Sequence, residues 1–349
     1  MQVIFRVDGS EEIGSGHVVR CITLADQLLS KGAKVRFITR AFTGGMQDFI
    51  ESHGFTCSRL DGDINSIELD AFETYLVIRE NYDSRIDWLI VDHYDLDYSW
   101  ESFLRPVVKK IMVIDDLANR KHDCDLLLDQ NYYKNYHNRY DGLVQKSTKL
   151  CLGTKFALLN PNFFSVKKKL RRRDGVVRRI LVFFGSSDIY NQTELTLNAI
   201  EMLGRSNLYV DVVVGNSNPQ KERIRQFCLL RPHYFYHCQI PYMADLIAEA
   251  DLSIGAGGTT TWERCFLGLP SIISVVAENQ VNVSRDVSNF GAAICLGWAK
   301  NNSVLIYENA IRSLIDDKDK LLAMERASKL IANVQEAALV EEMYKQKLI

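Results

Sequence analysis

The chain has 349 residues, of which 47% are hydrophobic, so it can form sizeable buried cores and is long enough for two domains. Its 42 basic and 44 acidic residues leave a formal net charge of -2, which gives no electrostatic support for binding to nucleic acid or to an anionic membrane. We therefore expect no nucleic-acid or membrane partner.

The N-terminus and the apolar runs give no sign of secretion or membrane insertion. Met1 leads directly into a strand pattern, and no apolar run reaches the roughly 18 residues of a transmembrane helix. The eight cysteines contain no Cys-x-x-Cys pair and stand among apolar neighbours, which favours buried thiols over zinc ligands or disulfides. We expect a cytoplasmic protein.

In the first half of the chain, short apolar runs alternate with helix-like segments. The predicted strands are Gln2–Val7, Lys34–Thr39, Trp88–Asp92, Lys109–Asp115, Leu126–Asp129 and Lys149–Leu152. The predicted helices are Val18–Ser30 and Met46–His53. Continuous apolar strands separated by helices are typical of a parallel sheet that is covered on both faces.

A basic run interrupts this alternation between Lys167 and Gly175. Such a run could contact phosphate or nucleic acid, but a solvated connector between domains is the more common case. We place the boundary here and predict an N-terminal domain over residues 1–165 and a C-terminal domain over residues 166–349.

The second half repeats the alternation of strands and helices. The predicted strands are Arg179–Phe184, Tyr209–Val214, Tyr234–His237, Asp251–Gly255 and Ser271–Val276. The predicted helices are Gln192–Leu203, Gln220–Leu230, Met243–Glu249, a helix that ends at Gly268, Val281–Asn289 and a helical tail over Asn302–Lys347. Two successive doubly wound, Rossmann-type α/β halves predict a central ligand cleft at the carboxyl ends of both sheets.

A glycine turn and a histidine follow the first predicted strand. Gly14 and Gly16 precede His17, which stands at the start of a predicted helix, where backbone N–H groups can receive an anion. A neutral imidazole in that position is a competent general base. The alternatives are a tight turn and a structural histidine, and the position at the carboxyl end of a strand favours catalysis.

A second glycine turn follows a strand of the C-terminal half. Gly257 and Gly258 would let the backbone approach a diphosphate, and Thr259 offers a hydroxyl or a helix cap. Glu263 falls in the first helical turn, where its carboxylate can accept both hydroxyls of a ribose. The structural alternative, a capped helix with a favourable acidic residue, leaves the glycines unexplained.

Three further polar clusters follow predicted strands. Asp188 ends a Gly-Ser-Ser-Asp turn that could line the cleft or be a plain strand-to-helix turn. Asn279 and Gln280 offer neutral donors and acceptors that suit sugar hydroxyls or amides. Tyr94 could donate a hydrogen bond to a substrate, and its neighbour His93 could pack or act as a second base.

The pair Asp115 and Asp116 is the nearest approach to a metal-binding pattern. Adjacent residues on an extended chain point to opposite faces, so the two carboxylates seldom bind one ion. We predict no metal, and we expect one of the two carboxylates to face the cleft or to orient a basic side chain.

Taken together, these motifs resemble the PseG family, the UDP-sugar hydrolases of pseudaminic acid biosynthesis. The resemblance runs from Arg6 to about Leu296, and the C-terminal tail adds nothing to it. The matching segments are Arg6–Ser10, Ile13–Cys21, Leu24–Leu28, Val91–Tyr94, Ile114–Ala118, Asp125–Asn131, Gly185–Asp188 and Gly255–Glu263.

The resemblance implies a GT-B-like fold and a substrate, UDP-2,4-diacetamido-2,4,6-trideoxy-β-L-altropyranose, that is hydrolysed with inversion to UDP and the free sugar. His17 matches the family's catalytic base, and Glu263 matches the glutamate that holds the uridine ribose in related enzymes. The resemblance implies no cofactor and allows other pathway enzymes as partners. The substrate-binding positions are Gly14, Gly16, Arg20, Tyr94, Asp188, Gly257, Gly258, Thr259, Glu263, Asn279 and Gln280.

Two other functions fit the same residues. A GT-B glycosyltransferase would use the same UDP-binding half and the same base, with a sugar or lipid hydroxyl in place of water. A non-catalytic nucleotide-sugar binder would need no His17. Strict dependence of UDP release on an acceptor would favour the first alternative, and UDP binding without turnover would favour the second.

Overall fold

Two parallel sheets organise the chain, in a computed structural model that describes residues 1–9, 15–40, 46–60 and 66–346. Contacts divide the chain into two units, each with one sheet. The first unit comprises residues 1–131, 135–158 and 337–349, and the second comprises residues 132–134 and 159–336. The predicted α/β class with two Rossmann-type halves is confirmed.

The first sheet has seven strands in the order β3-β2-β1-β4-β5-β6-β7, all parallel. The strands are β1 (Gln2–Val7), β2 (Lys34–Arg40), β3 (Thr56–Leu60), β4 (Ile86–Asp92), β5 (Val108–Ile114), β6 (Leu126–Asp129) and β7 (Lys149–Leu152). The strand order reverses between β1 and β4, which makes their carboxyl ends the topological switch point where ligands bind in such sheets.

The second sheet has six strands in the order β10-β9-β8-β11-β12-β13 and therefore repeats the winding of the first. Its strands are β8 (Arg179–Phe183), β9 (Tyr209–Val214), β10 (Tyr234–Cys238), β11 (Leu252–Ala256), β12 (Ser271–Val275) and β13 (Ala293–Trp298). Its switch point lies between β8 and β11, which pair in parallel.

Helices connect most successive strands, except β5 to β6 and β6 to β7, and three more helices follow β13. In chain order they are α1 (Gly16–Ser30), α2 (Gln47–Ser52), α3 (Ile67–Asn81), α4 (Tyr98–Leu104), α5 (Pro161–Lys167), α6 (Gln192–Met202), α7 (Lys221–Leu229), α8 (Met243–Glu249), α9 (Thr260–Phe266), α10 (Gln280–Asn289), α11 (Val304–Ile315), α12 (Lys318–Ile331) and α13 (Ala338–Gln346). None of the helices in the described ranges has the length and apolar content that a membrane span requires.

The apolar strands bury both of their faces. Along β1, Val3 and Phe5 belong to one apolar cluster, which also holds residues of α1 and α13. The intervening Ile4 belongs to a second cluster on the other face. Because successive side chains of a strand point to opposite faces, a continuous apolar run is what a doubly covered sheet requires.

Some elements lack a clear signal in the sequence. The strand β3 lies at the sheet edge, and only its last residue, Leu60, is buried, so it has no apolar run. The helix α3 buries few apolar side chains, which weakens its periodicity. The predicted helical tail is interrupted at Asp316 and Asp317, where the Asp317 side chain accepts from the Lys320 amide and caps α12, and again between Ile331 and Ala338. It therefore forms three helices.

The predicted basic connector is only partly solvated. Arg173 is 4% exposed, because its guanidinium donates to main-chain carbonyl oxygens of the second unit. Those oxygens belong to Ile247, Ala250, Leu267 and Gly268. The connector is therefore fastened to the second unit by main-chain hydrogen bonds.

The two units differ from the predicted ranges of 1–165 and 166–349 at three places, of which one is the short segment 132–134 of the second unit. The first unit ends at Leu158, and the chain returns to it at Ala337. Leu339, Val340 and Met343 of α13 are buried in the apolar cluster that covers one face of the first sheet. An amphipathic helix does not specify which sheet it covers, so the sequence could not predict this return.

We expect truncation of the α13 apolar face to destabilise the first unit. Leu339 is 2% exposed, and Leu339→Ala should cost roughly 2–5 kcal/mol of unfolding free energy, because it leaves a cavity in the core. Denaturant unfolding monitored by circular dichroism measures this loss. Leu29→Ala is the matched control, because Leu29 is 54% exposed in the same unit and should have a small effect. Equal losses for the two variants would contradict the packing of α13.

Candidate functional site

His17 is the second residue of α1, the helix that follows β1. The apolar side of α1, which includes Val18, Cys21 and Leu24, is buried in the first unit and fixes the helix on the sheet. The His17 side chain remains 12% exposed. Gly16 begins the helix, whereas Gly14 lies outside the described residues.

The carboxylate of Asp92 orients the His17 ring. Asp92 is the last residue of β4, the strand that pairs with β1 at the switch point. Its Oδ1 lies 2.6 Å from His17 Nδ1. A carboxylate oxygen at this distance requires a hydrogen on Nδ1, because two acceptors would repel each other. We therefore assign the hydrogen of the neutral ring to Nδ1, which leaves the lone pair on Nε2.

Arg20 shares the same carboxylate. Its Nε and Nη2 each lie 2.6 Å from one oxygen of Asp92, which is a bidentate pair. Burial by itself would raise the pKa of Asp92, but the charges of Arg20 and His17 hold that pKa well below its usual range. Arg20 was predicted to bind the substrate. In the structure it is 6% exposed, and its charge fixes the Asp92 carboxylate.

Tyr94 contacts the His17 ring by its edge. The two ring centroids are 4.7 Å apart at an interplanar angle of 86°. The Tyr94 hydroxyl donates to Asp116 Oδ1 at 2.8 Å, and Asp116 Oδ2 accepts from Arg20 at 3.3 Å. Burial, together with Asp116, raises the pKa of Tyr94 well above its usual value. The hydroxyl that was predicted to contact a substrate is thus held by Asp116.

We expected one carboxylate of the pair Asp115 and Asp116 to face the cleft or to orient a basic side chain. Both carboxylates contact an arginine. Asp115 accepts from Arg120 at 2.9 Å, while Asp116 accepts from Arg20. No group of three or more His, Cys, Asp and Glu side chains is arranged to hold a metal ion in the described part of the chain.

His93 is held on both of its ring nitrogens. The Asp95 amide donates to His93 Nδ1 at 3.1 Å, so the ring hydrogen is on Nε2. That nitrogen lies 3.1 Å from Asp8 Oδ2. Arg6 holds Asp8 in turn, with contacts of 2.6 and 2.9 Å to its two oxygens. Of the two roles left open by the sequence, this geometry supports packing over a second base.

In the second unit, the glycine turn follows β11 at the switch point. A Cβ atom on Gly255 would lie 2.1 Å from the carbonyl oxygen of Phe183, and one on Gly257 would lie 2.1 Å from Ser284 Oγ. A Cβ on Gly258 would meet only Gln280 Nε2, at 3.4 Å. Close packing therefore explains the glycines at 255 and 257, and Gly258 lies where the turn is most open.

Other predicted members of this site lie around the same turn. Gln280 begins α10, and its Oε1 accepts from the Val276 amide at 3.1 Å, which fixes the side chain beside Gly258. Thr259 and Asn279 are the N-cap residues of α9 and α10, and neither side chain makes a capping hydrogen bond. Gly257, Gly258, Thr259 and Gln280 are therefore brought together.

Glu263 lies in the first turn of α9 and is partly exposed. Burial raises the pKa of its carboxyl group to about 7, against the opposing effects of Arg264 and of a hydrogen bond from Thr260. A carboxyl group that titrates near neutral pH beside an open turn is a candidate ligand-binding group.

The Asp188 carboxylate makes hydrogen bonds within the turn that it was predicted to end. Its two carboxylate oxygens accept from the amides of Gln192 and Thr193, at 2.8 and 2.9 Å, and so cap the start of α6. Asp188 is 5% exposed with a φ of 42°, a left-handed conformation that Asp tolerates better than most residues. A plain strand-to-helix turn, the structural alternative for this segment, therefore accounts for the Asp188 carboxylate.

The most important residue that the sequence missed is Asp92. The only signal was its position at the end of an apolar strand, because its partner His17 lies 75 residues earlier in the chain. Asp116 was singled out only as one of a pair. Both roles depend on which strands are neighbours in the sheet.

Comparisons with known proteins test the resemblance predicted from the motifs. Residues 179–342 match the Glycosyltransferase family 28 C-terminal domain. The chain is 27% identical over 268 residues to the UDP-2,4-diacetamido-2,4,6-trideoxy-beta-L-altropyranose hydrolase of Campylobacter jejuni, covering 76% of this chain and 89% of that protein. It is 24% identical over 356 residues to the Bacillus subtilis spore coat polysaccharide biosynthesis protein SpsG, covering all of both chains. The resemblance predicted from the motifs is confirmed.

A comparison with solved structures supports the fold. MurG of Acinetobacter baumannii superposes with a TM-score of 0.68 at 14% identity, covering 100% of this chain and 99% of MurG. At this identity the likeness shows the fold alone. Together with the second sheet, which repeats the order of the first six strands of the first sheet, it confirms the predicted GT-B-like architecture.

The assigned tautomer of His17 leads to a test by NMR. We expect nitrogen-15 spectra of the neutral ring to show the hydrogen on Nδ1, because Asp92 can only accept. In Asp92→Asn the amide can also donate to Nδ1, so the population with the hydrogen on Nε2 should rise. The His17→Gln spectrum identifies the signal among the seven histidines. Unchanged tautomer populations in Asp92→Asn would contradict the assignment.

Proposed function

We propose that the chain hydrolyses UDP-2,4-diacetamido-2,4,6-trideoxy-β-L-altropyranose to UDP and the free 6-deoxy sugar, as a step of pseudaminic acid biosynthesis. The observation that carries the proposal is the pair of His17 and Asp92, with its contact of 2.6 Å, in a chain similar to a hydrolase named for this substrate. The proposal needs no cofactor and no metal ion.

In the proposed reaction His17 Nε2 is the general base. It removes a proton from a water molecule while the water oxygen forms a bond to the anomeric carbon. The bond from that carbon to the diphosphate oxygen breaks, and UDP leaves with the bonding electron pair. Because water attacks from the side opposite the leaving group in one step, the product has the inverted configuration.

Asp92 and its neighbours support this base. A hydrogen bond from Nδ1 to Asp92 fixes the ring and stabilises the imidazolium that forms when Nε2 accepts a proton. Arg20 keeps Asp92 in its charged form, as the lowered pKa of that carboxyl group indicates. Tyr94 restricts the ring from the side through its edge contact.

We assign the nucleotide to the glycine turn of the second unit. The carboxylate of Glu263, a half-buried residue, would accept the two hydroxyls of the ribose. The open backbone at Gly258, with the Thr259 hydroxyl and the Gln280 amide beside it, would receive the diphosphate. The similarity of residues 179–342 to a glycosyltransferase domain supports this assignment.

A glycosyltransferase is the second candidate, because the C-terminal match and the fold are those of such enzymes. The same base would then deprotonate an acceptor hydroxyl. The two functions separate when the UDP-sugar is incubated without an acceptor in water labelled with oxygen-18. Hydrolysis with C–O cleavage releases UDP and places the label in the sugar, and NMR of the fresh product reports its anomeric configuration. If UDP is released only when an acceptor is added, the chain is a transferase.

We expect His17→Ala to lower turnover by roughly two to four orders of magnitude, the usual contribution of a general base, while UDP still binds. Release of UDP is measured in a coupled assay, and UDP affinity by calorimetry. His53→Ala is the control, because His53 is exposed on the same unit and should leave both quantities unchanged. Full turnover by His17→Ala would show that His17 is not the base.

The carboxyl group of Glu263 gives the nucleotide site a pH dependence. Since its pKa is raised to about 7, the carboxylate that accepts ribose hydroxyls is present above that pH and is protonated below it. The affinity for uridine, which carries no phosphate to titrate in this range, should therefore fall as the pH decreases from 8 to about 6. NMR titration measures it, and in Glu263→Gln the affinity should be low at both pH values. A uridine affinity that is constant with pH in the unaltered protein would contradict the role of Glu263.

A further inference from the structure

Arg264 is a buried cation whose hydrogen-bonding capacity is only partly used. The side chain is 1% exposed, and its Nη2 donates to the carbonyl oxygen of Ala256 at 2.7 Å and to Thr261 Oγ1 at 3.0 Å. Its Nε and Nη1 have no hydrogen-bond partner among the described residues. Within the described ranges, Arg264 also forms no ion pair with a carboxylate.

Such an arrangement is costly for the folded protein. A buried N–H group without an acceptor forfeits the hydrogen bonds that it makes in water, and a buried charge without a partner costs more. Burial lowers the pKa of Arg264 to about 10. A neutral amide could donate to Ala256 and Thr261, so these two bonds do not explain why a charge is present.

Arg173 shows what a structural buried arginine looks like in the same unit. Its Nε, Nη1 and Nη2 all donate to carbonyl oxygens, at distances from 2.8 to 3.2 Å. Both arginines are buried, and they differ in how many of their N–H groups have a hydrogen-bond acceptor. It indicates that Arg264 is kept for something other than holding the fold.

The guanidinium of Arg264 lies directly against the glycine turn. A Cβ atom on Gly255 would come within 2.8 Å of Nη1, so the glycine makes room for the charge. Nη2 holds the Ala256 carbonyl, and the next amide, that of Gly257, donates to the Ser274 carbonyl at 3.0 Å. The Ala256–Gly257 peptide, which precedes Gly258 in the turn, is thus fixed at both its oxygen and its nitrogen, with a positive charge beside it.

We propose that Arg264 is a positioning residue for the diphosphate group of the nucleotide, which it attracts through its charge and through the peptide that it holds, without touching the ligand. The inference rests on the proposed nucleotide site and adds to it the source of its selectivity for anions. An anion at the turn would supply the negative charge that the buried guanidinium lacks.

The test measures the affinities of uridine, UMP and UDP by calorimetry for the full chain and for Arg264→Met. If the charge acts on the phosphates, Arg264→Met should weaken UDP binding on the order of tenfold, weaken UMP binding less and leave uridine binding unchanged. Arg264→Lys retains the charge and should keep most of the preference for UDP over uridine. Thermal unfolding of each variant checks that it is folded.

Arg173→Met is the matched control. It removes an equally buried arginine of the same unit, and we expect it to lower the melting temperature more than Arg264→Met does without changing the ratio of UDP to uridine affinity. The proposal is wrong if Arg264→Met weakens uridine and UDP binding equally, if it changes neither, or if Arg264→Lys behaves like Arg264→Met.

The proposed function has a separate outcome in this experiment. If the unaltered chain binds UDP but does not hydrolyse the sugar nucleotide, the hydrolase proposal fails while the comparison of ligands still decides the role of Arg264. If the unaltered chain binds neither uridine nor UDP, both proposals are overturned.

Discussion

One buried negative charge, the carboxylate of Asp92, holds the arrangement around His17 together. It lies where β4 ends beside β1, and it accepts hydrogen bonds from His17 and Arg20 at the same time. A carboxylate in this position would be unstable without a permanent cation beside it, and Arg20 supplies that cation. Asp116 then extends the chain of contacts from Arg20 to Tyr94, so the five side chains constrain one another.

The two units use the same winding for different electrostatic purposes. Around the first switch point the buried charges are paired: besides Asp92 and Arg20, the Arg6 guanidinium contacts Asp8 and Asp70 at 2.6 Å each. In the second unit, Glu263 accepts a hydrogen bond from Thr260 and Arg264 donates only through Nη2, and neither forms an ion pair with another described residue. A fully paired cluster keeps its geometry whether or not a ligand is present, whereas unsatisfied groups gain stability when one binds.

The sequence predicts most of the fold because each strand and helix is marked by a pattern of neighbouring residues. Apolar runs such as Trp88–Asp92 mark buried strands, and the helices between them require parallel pairing. Candidate site residues were predicted where a local motif marks them, as at His17 and around Gly258. It could not be predicted where the role depends on a contact between distant segments, as for Asp92 and Arg264. At Asp188 a local motif predicted substrate binding, but the carboxylate caps α6.

The return of α13 to the first unit affects the order in which the protein can fold during synthesis. The N-terminal sheet leaves the ribosome before the second unit, but Leu339, Val340 and Met343, which cover part of it, leave after the second unit. The apolar surface of α1 and the strands beneath it therefore stays incomplete until α13 has been made, while the second unit can close its own core earlier. The first unit is begun before the second and completed after it.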